Sequence, residues 1–271
     1  QVCQKLSSKD VFYLDKDEIA QGIVFPQDLL NKKNAEKLDK GFEVNSGIFV
    51  LTTEEINNKN IDKDCDLIKP YYTSSNFYRY FSKEKFNYYT IYTNSTFKQK
   101  NSLDNYPNIK HHLDSFQKII TSSNKPYGLH RARDEYFFKD EKIIVQRKCP
   151  EKPKFSYVNF DSYVSATFYI IKTERCNHKF LTGLFNSRLI EFWLRYKGKM
   201  QGNNFQIDKE PLMNIPVIKT NQAKENQITK LVDQILSAKA EDSAADTQAL
   251  EDQIDVLVYQ LYGLTYAEVR I

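Results

Sequence analysis

The sequence predicts an α+β fold, a mixed and strand-rich body closed by a C-terminal antiparallel helical hairpin. Three observations carry that expectation. Short runs of β-branched and aromatic residues, set between Gly, Pro, Asn and Ser, recur as far as Ile171. Phe180, Leu181, Leu184, Phe185, Leu189, Phe192 and Trp193 then follow at steps of three and four, as one face of a long helix does. After residue 220 come two more helical stripes, Ile228, Leu231, Val232, Ile235 and Leu236, then Leu250, Ile254, Leu257, Val258 and Leu261. The polar stretch from Glu241 to Asp246 joins them as a hairpin connector. The expected division is 1–220 for the body and 221–271 for the hairpin.

Each element has a local reason. Ile48-Phe49-Val50-Leu51 is an apolar run of strand length, and Glu54-Glu55-Ile56 after a Thr-Thr pair starts a helix. Tyr88-Tyr89-Thr90-Ile91-Tyr92 has strong strand propensity. Asn108 to Ile120 reads as helical, with Leu113, Phe116, Ile119 and Ile120 on one face. Gly128 to Lys148 reads as two strands, one through His130-Arg131-Ala132-Arg133 and one from Lys142 to Lys148. Phe155 to Ile171 continues with Tyr163-Val164 and Thr167–Ile171. The long apolar helix delivers a basic Gly/Asn/Gln loop, Lys197–Asn204, then a short strand and an exit at Pro216. Gly263 is placed to cap the last helix.

The composition, 41% hydrophobic and 14% aromatic over 271 residues, is that of a folded chain of one or two domains. Net charge is only +4, but it is unevenly spread. Lys172–Lys199 holds seven basic residues against two acidic, and Lys125–Lys154 nine against five. Lys224–Asp255 holds three against eight. A polyanion would meet the middle of the chain and be repelled by its end. Cys3, Cys65, Cys149 and Cys176 form no Cys-x-x-Cys pair, and Cys176 with His178 is too sparse for zinc, so no metal site is expected. Free thiols point to a reducing cytoplasm. No apolar run reaches membrane-spanning length and no signal peptide is visible, so no membrane partner is expected. The start at Gln1, without Met, suggests a piece of a longer polypeptide.

Two places suit contact with a polyanion. In the Lys197–Asn204 loop, glycines let backbone N–H groups come close to phosphates, lysines neutralise charge, and amides bond base edges or phosphate oxygens. If His130–Arg133 is extended, Arg131 and Arg133 point the same way, which calls for an anion or for nearby acids such as Asp134 and Glu135. A surface loop after a core helix and ordinary salt bridges are the plain alternatives. Catalytic signatures are absent: there is no Gly-rich phosphate loop, Gly-x-Ser-x-Gly elbow or His-Glu-x-x-His pair. One cryptic possibility is a Mg²⁺-dependent nuclease built from Asp134, Gln146 and Lys148. Another is a helical protein-interaction module that uses the hairpin as its interface.

An ordered set of motifs resembles a known family. Leu181-Thr182-Gly183-Leu184-Phe185-Asn186-Ser187-Arg188-Leu189 is similar to its LxGLLNSKL helix. Phe205-Gln206-Ile207, Glu210-Pro211-Leu212 and Asn214-Ile215-Pro216 resemble its strand and NIP exit. Ile254-Asp255, Leu257-Val258-Tyr259 and Leu261-Tyr262-Gly263-Leu264 resemble its terminal helix. Pro126–Arg133, Lys142–Ile144, Gly22-Ile23 and Gly47–Val50 fit the middle and front. The family is the TaqI-like C-terminal specificity domain of adenine-N6 DNA methyltransferases. It is found in type IIG restriction–modification enzymes and is related to type I specificity subunits.

The resemblance implies a target-recognition domain that reads double-stranded DNA, through the major groove, and is not catalytic alone. An upstream methyltransferase region of the same polypeptide would supply S-adenosylmethionine chemistry, and a nuclease with Mg²⁺ where one is present. In keeping with that, the chain lacks both the Asn-Pro-Pro-aromatic tetrapeptide that holds a flipped adenine and a Gly-rich cofactor loop. The hairpin would be a scaffold against the catalytic part. Base contacts do not carry over by position in this family, so candidates rest on chemistry. Arg131 and Arg133 suit guanine, and Asn76, Gln201, Asn203 and Asn204 suit adenine or phosphate. Arg79, Lys125, Lys148, Lys197 and Lys199 suit phosphates, with His130 and Arg147 beside them. Tyr72, Tyr78 and Tyr127 could stack or bond the backbone.

Overall fold

The computed structural model describes residues 2–8, 10–38 and 41–270. The chain opens with helix α1 (Val2–Ser8), strands β1 (Val11–Phe12) and β2 (Ile19–Gln21) and the single turn α2 (Lys32–Ala35). Strand β3 (Val50–Thr52) runs into α3 (Thr53–Asn58). Thr52 and Glu55 cap each other's backbone there, so the Thr-Thr-Glu-Glu run starts a helix as expected. Strands β4 (Ile68–Tyr71) and β5 (Tyr88–Ile91) join β3 in an antiparallel sheet, order β3-β5-β4. Helix α4 (Pro107–Asp114) is shorter than the periodicity suggests. Phe116, Ile119 and Ile120 are buried, but the backbone turns after Asp114 into i→i+3 bonds such as Phe116 N to Leu113 O, 3.0 Å.

The central sheet holds β6 (Lys142–Gln146), β8 (Phe155–Val158) and β9 (Phe168–Ile171), with order β2-β9-β6-β8. Between β6 and β8 lies β7 (Lys148–Cys149), which belongs to another sheet. Side chains alternate across a strand, and here both sides are used. Ile143, Val145, Tyr169 and Ile171 enter one core, whereas Ile144, Phe168 and Ile170 enter a second. The sheet is therefore a wall between two cores, which explains the unbroken apolar run of β6. The second core is completed by the β3-β5-β4 sheet and α4.

The first core is completed by helices. The expected single helix is two, α5 (His178–Asn186) and α6 (Arg188–Lys197). Ser187 separates them in extended conformation (φ −66°, ψ 153°), and its Oγ accepts the Ile190 N–H. The break arises because the Asn186 amide turns onto the edge of β8, accepting from Phe155 N at 3.2 Å and donating to Phe155 O at 2.7 Å. Next come β10 (Lys199–Gln201), β11 (Asn204–Gln206), α7 (Lys209–Met213) and β12 (Val217–Ile218), which pairs with β1.

The chain ends with α8 (Gln222–Glu241), α9 (Gln248–Leu261) and the turn α10 (Tyr266–Val269). Gly263 at φ 63° closes α9 with bonds from Gly263 N to Gln260 O and from Leu264 N to Tyr259 O, a Schellman motif, as expected. Ile228, Val232, Ile254 and Val258 share the first core with α5. At Gly183 a Cβ would lie 2.6 Å from Ile228 Cγ2 and 3.1 Å from Val232 Cγ2, so this glycine lets α8 approach. Gly183→Val should lower stability by about 1–3 kcal/mol through overpacking. An unchanged denaturant midpoint would show that α8 yields without cost.

The motif residues bond one another. Asp255 on α9 accepts the Arg188 N–H at the start of α6, 2.7 Å. Tyr262 donates to Pro216 O, and its hydroxyl accepts from Ile218 N at 3.2 Å. Acidic residues of the hairpin reach basic residues of the body: Glu251 to Arg79 at 3.0 Å, Asp252 to Arg188 at 2.7 Å and Asp233 to Lys179 at 2.6 Å. The acidic end of the chain thus pairs partly with its own basic middle.

Candidate nucleic-acid interface

The Lys197–Asn204 segment, expected as a loop, is mostly a β-hairpin. Gln201 faces Asn204 across a two-residue turn in which Gly202 takes φ 60°. A glycine at the first central position with positive φ matches the twist of the flanking strands. Strand β11 also pairs with β7, giving a three-stranded sheet of order β10-β11-β7. Its two faces differ in chemistry. Met200, Phe205 and Cys149 lie side by side and pack on the first core. The opposite face aligns Lys199, Gln206 and Lys148, with Gln201 and Asn204 toward the turn. Two lysines and three amides therefore share one outward surface.

Beside it lies a cleft of about 630 Å³. Gln146, Arg147 and Lys148 line one wall, and Gln27, Asp28, Ser165 and Thr167 contribute polar groups from the others. The chain kinks at Arg147, which is why the expected strand through Lys148 divides between two sheets. Arg147 N bonds Thr167 O at 2.8 Å, and Arg147 O accepts from Ile207 N at 2.7 Å. The Arg147 guanidinium meets Asp208, Nε to Oδ1 at 2.5 Å. Asp208 also accepts from Gln206 Nε2 at 2.9 Å and lies 3.6 Å from Lys199 Nζ. Burial opposes its ionisation, but the bonds from Arg147 and Gln206 outweigh this and hold the carboxyl below its ordinary range.

The Arg131–Arg133 pair reaches the same region in an unexpected way. His130–Arg133 is not a strand; only Arg131 pairs, through a single antiparallel bridge to Val24 on the cleft wall. Arg131 is exposed, and no hydrogen bond or ion pair ties its guanidinium to the described residues. Arg133 sits at φ 75°, a conformation costly for a side chain of this size. The two guanidiniums therefore part. Arg133 turns inward, donating to Gly22 O at 3.2 Å and Gln21 Oε1 at 2.9 Å. Its partial burial and the nearby Arg131 both disfavour its charge.

His130 is exposed beside Arg131, and Lys197 is exposed in the last turn of α6. Asn203 is exposed at the hairpin turn, and Lys125 is exposed before Pro126. The remaining candidates have internal work. Asn76 accepts from Thr73 N at 3.1 Å and donates to Lys85 O at 2.8 Å, holding its own loop. Arg79 is turned onto Glu251 and the Asn186 carbonyl. Tyr127 is buried and donates to Asp114 at 2.8 Å. Tyr72 is buried with its hydroxyl on Glu84 O, and Tyr78 stacks on Phe81. Asp134 caps a 3₁₀ turn by accepting from Tyr136 N. Among the described residues no three His, Cys, Asp or Glu side chains gather as a metal site. Gln206 entered the sequence reading only as part of a family motif, and Asp208 and Gln27 not at all. Strand alternation from Gln201 and Asn204 could have found Gln206.

Residues 69–217 match the profile of the TaqI-like C-terminal specificity domain, just over half of the chain. Two type II methyltransferases, M.HincII of Haemophilus influenzae and M.HindII of Haemophilus influenzae (strain ATCC 51907 / DSM 11121 / KW20 / Rd), are each 27% identical over 117 residues. Those alignments cover 38% of this chain and 23% of each relative, so the chain spans less than a quarter of their length. The type IIL restriction–modification enzyme MmeI, solved in complex with DNA, has the same fold. It aligns with a TM-score of 0.67 at 13% identity, over 96% of this chain and 36% of MmeI.

Proposed function

The chain belongs to the family of TaqI-like C-terminal specificity domains, and from that premise we propose that it recognises a specific sequence in double-stranded DNA. The parent enzyme would be an adenine-specific DNA methyltransferase or a type IIG restriction–modification enzyme. The observation that carries this reading is the outward face of the β10-β11-β7 sheet, where Lys148, Lys199, Gln201, Asn204 and Gln206 adjoin the cleft at Arg147 and the free guanidinium of Arg131. A two-stranded ribbon fits the major groove, where amides pair with adenine and guanidiniums with guanine. Lysines at its root suit phosphates.

The division of labour follows. Residues 1–220 would grip and read the duplex. Residues 221–271, pinned to the body by Arg79–Glu251 and Arg188–Asp255, would brace it against an upstream methyltransferase region. S-adenosylmethionine would act there, and Mg²⁺ where the parent also cleaves. Asn76, Arg79 and Tyr127 would serve this function indirectly, by shaping the body.

Fluorescence anisotropy with a mixed-sequence duplex pool at about 50 and 200 mM salt tests the reading, because phosphate contacts weaken steeply over that range. Selection from the bound pool then yields the target. Arg131→Ala should lose about 1–3 kcal/mol of discrimination at one base pair. Lys148→Ala should weaken binding to every duplex and lower the salt slope by about 0.9. Absence of duplex binding at low salt would sink the proposal, and equal losses on all sequences would remove Arg131 from base reading.

A further inference from the structure

An acidic side chain inside a DNA-binding face needs a reason, since it repels phosphate. Asp28 lines the cleft wall, and Asp208 is such a side chain on the sheet face itself. It stands at the N-cap position of α7, where aspartate ordinarily accepts a first-turn N–H, yet its carboxylate makes no such bond. Both oxygens are instead turned to the face, Oδ1 to Arg147 at 2.5 Å and Oδ2 to Gln206 at 2.9 Å, with Lys199 at 3.6 Å.

Resting on the DNA-recognition reading, we infer that Gln206 reads an adenine and that Asp208 is the positioning residue that makes this reading selective. Gln206 lies between Lys199 and Lys148 on the outward face. Its bond to Asp208 decides which end of the carboxamide turns inward, because a carboxylate accepts only from the amide N–H. One N–H and the carbonyl oxygen remain, a donor beside an acceptor. Adenine presents N7 and N6–H₂ in the major groove, the matching acceptor and donor. Guanine presents two acceptors, which leaves the Gln206 oxygen facing oxygen. Asp208 also occupies Arg147 and Lys199, two cations that would otherwise engage phosphates of any sequence. Fixing one reader and restraining two unspecific contacts both raise the ratio of cognate to random binding.

The test compares the unsubstituted 271-residue chain with Asp208→Asn, Asp208→Glu and Gln206→Ala. Anisotropy is read on the duplex selected by the unsubstituted chain and on the mixed pool, at two salt concentrations, with a thermal melt for each variant. Asp208→Asn should bind the pool more tightly, with a salt slope steeper by roughly one to two phosphate contacts. Its preference for the selected duplex should fall roughly tenfold or more, within the range of a bidentate base contact. Asp208→Glu should keep most of that preference. Gln206→Ala should lose preference at one A·T pair and leave the slope alone, which keeps the inference testable should Asp208→Asn melt early. Equal weakening on both duplexes with an unchanged slope would make Asp208 merely structural and overturn the inference. So would an unaltered preference in Gln206→Ala, or a loss that maps to a G·C pair. Absence of salt-dependent binding by the unsubstituted chain is a separate outcome, which overturns the DNA-recognition reading and this inference with it.

Discussion

Asn186→Ala should destabilise the chain by about 3 kcal/mol, because a buried donor left without a partner costs about 1–3 kcal/mol on top of the bonds lost. Asn186 is fully buried at the end of α5. Its side chain accepts from Phe155 N at 3.2 Å and donates to Phe155 O at 2.7 Å and Thr182 O at 3.0 Å. Strand β8 is at the edge of the central sheet, and Asn186 closes that edge as a further strand would. The Phe155 carbonyl keeps a second donor, Tyr80 N at 3.0 Å, but among the described residues the Phe155 N–H bonds only the Asn186 amide. The melting temperature should drop on the order of 5–10 °C for a chain of this size. The variant that remains folded should read DNA with undiminished sequence preference, because Asn186 lies outside the face. An unshifted melt would show that the α5–β8 lock contributes little.

Acid should weaken the fold through His112 before most carboxylates are protonated. The ring is buried on α4, bonds the Ile48 carbonyl at 2.9 Å through Nε2 and packs edge-on to Phe116. Burial pushes its pKa down to about 4, against an ordinary value of 6.5. Between those values the unfolded chain holds a proton that the folded chain refuses, so stability falls as pH falls. The contribution is whole above about pH 6.5 and is lost progressively down to about pH 4, a total of about 3 kcal/mol from a shift of this size. Denaturant midpoints taken from pH 7.5 to 4.5 should show that slope, and His112→Phe should remove its share, leaving the share of His178, whose pKa burial also lowers. A slope identical in the variant would place the acid sensitivity elsewhere.

Much of the fold was open to reading from the chain. Strand alternation, the Thr52–Glu55 box, the stripes of α8 and α9 and the Gly263 cap are local, and local rules describe them. The motifs that carry the family resemblance were legible too, but their meaning was not. Gly183, Asn186, Arg188, Asp255 and Tyr262 read as signatures, and the structure gives each a mechanical duty: Gly183 lets α8 pack on α5, Asn186 ties α5 to β8, Arg188 and Asp255 join α6 to α9, and Tyr262 ties the chain end to β12. The charge asymmetry predicts repulsion of a polyanion by the last helices, whereas Glu251, Asp252 and Asp233 are partly engaged by Arg79, Arg188 and Lys179.

The candidate site divides along the same line. The residue types were visible in the sequence, since lysines and amides around Gly202 announce contact with an anion wherever they are placed. Which of them share a surface depends on β7 meeting β11, a pairing between residues far apart in the chain that no local propensity encodes. Arg131 and Arg133, two residues apart in sequence and expected to act together, part because the Arg133 backbone angle φ turns positive. Arg79 and Asn76 had the right chemistry and found partners within the chain, Arg79 on the hairpin's Glu251 and Asn76 in its own loop. Periodicity and capping are properties of neighbours along the chain, so the sequence by itself determined most of the elements and the family. Pairing of distant strands, and the competition of each charged group for the nearest opposite charge, are properties of neighbours in space, and only the tertiary structure decided them.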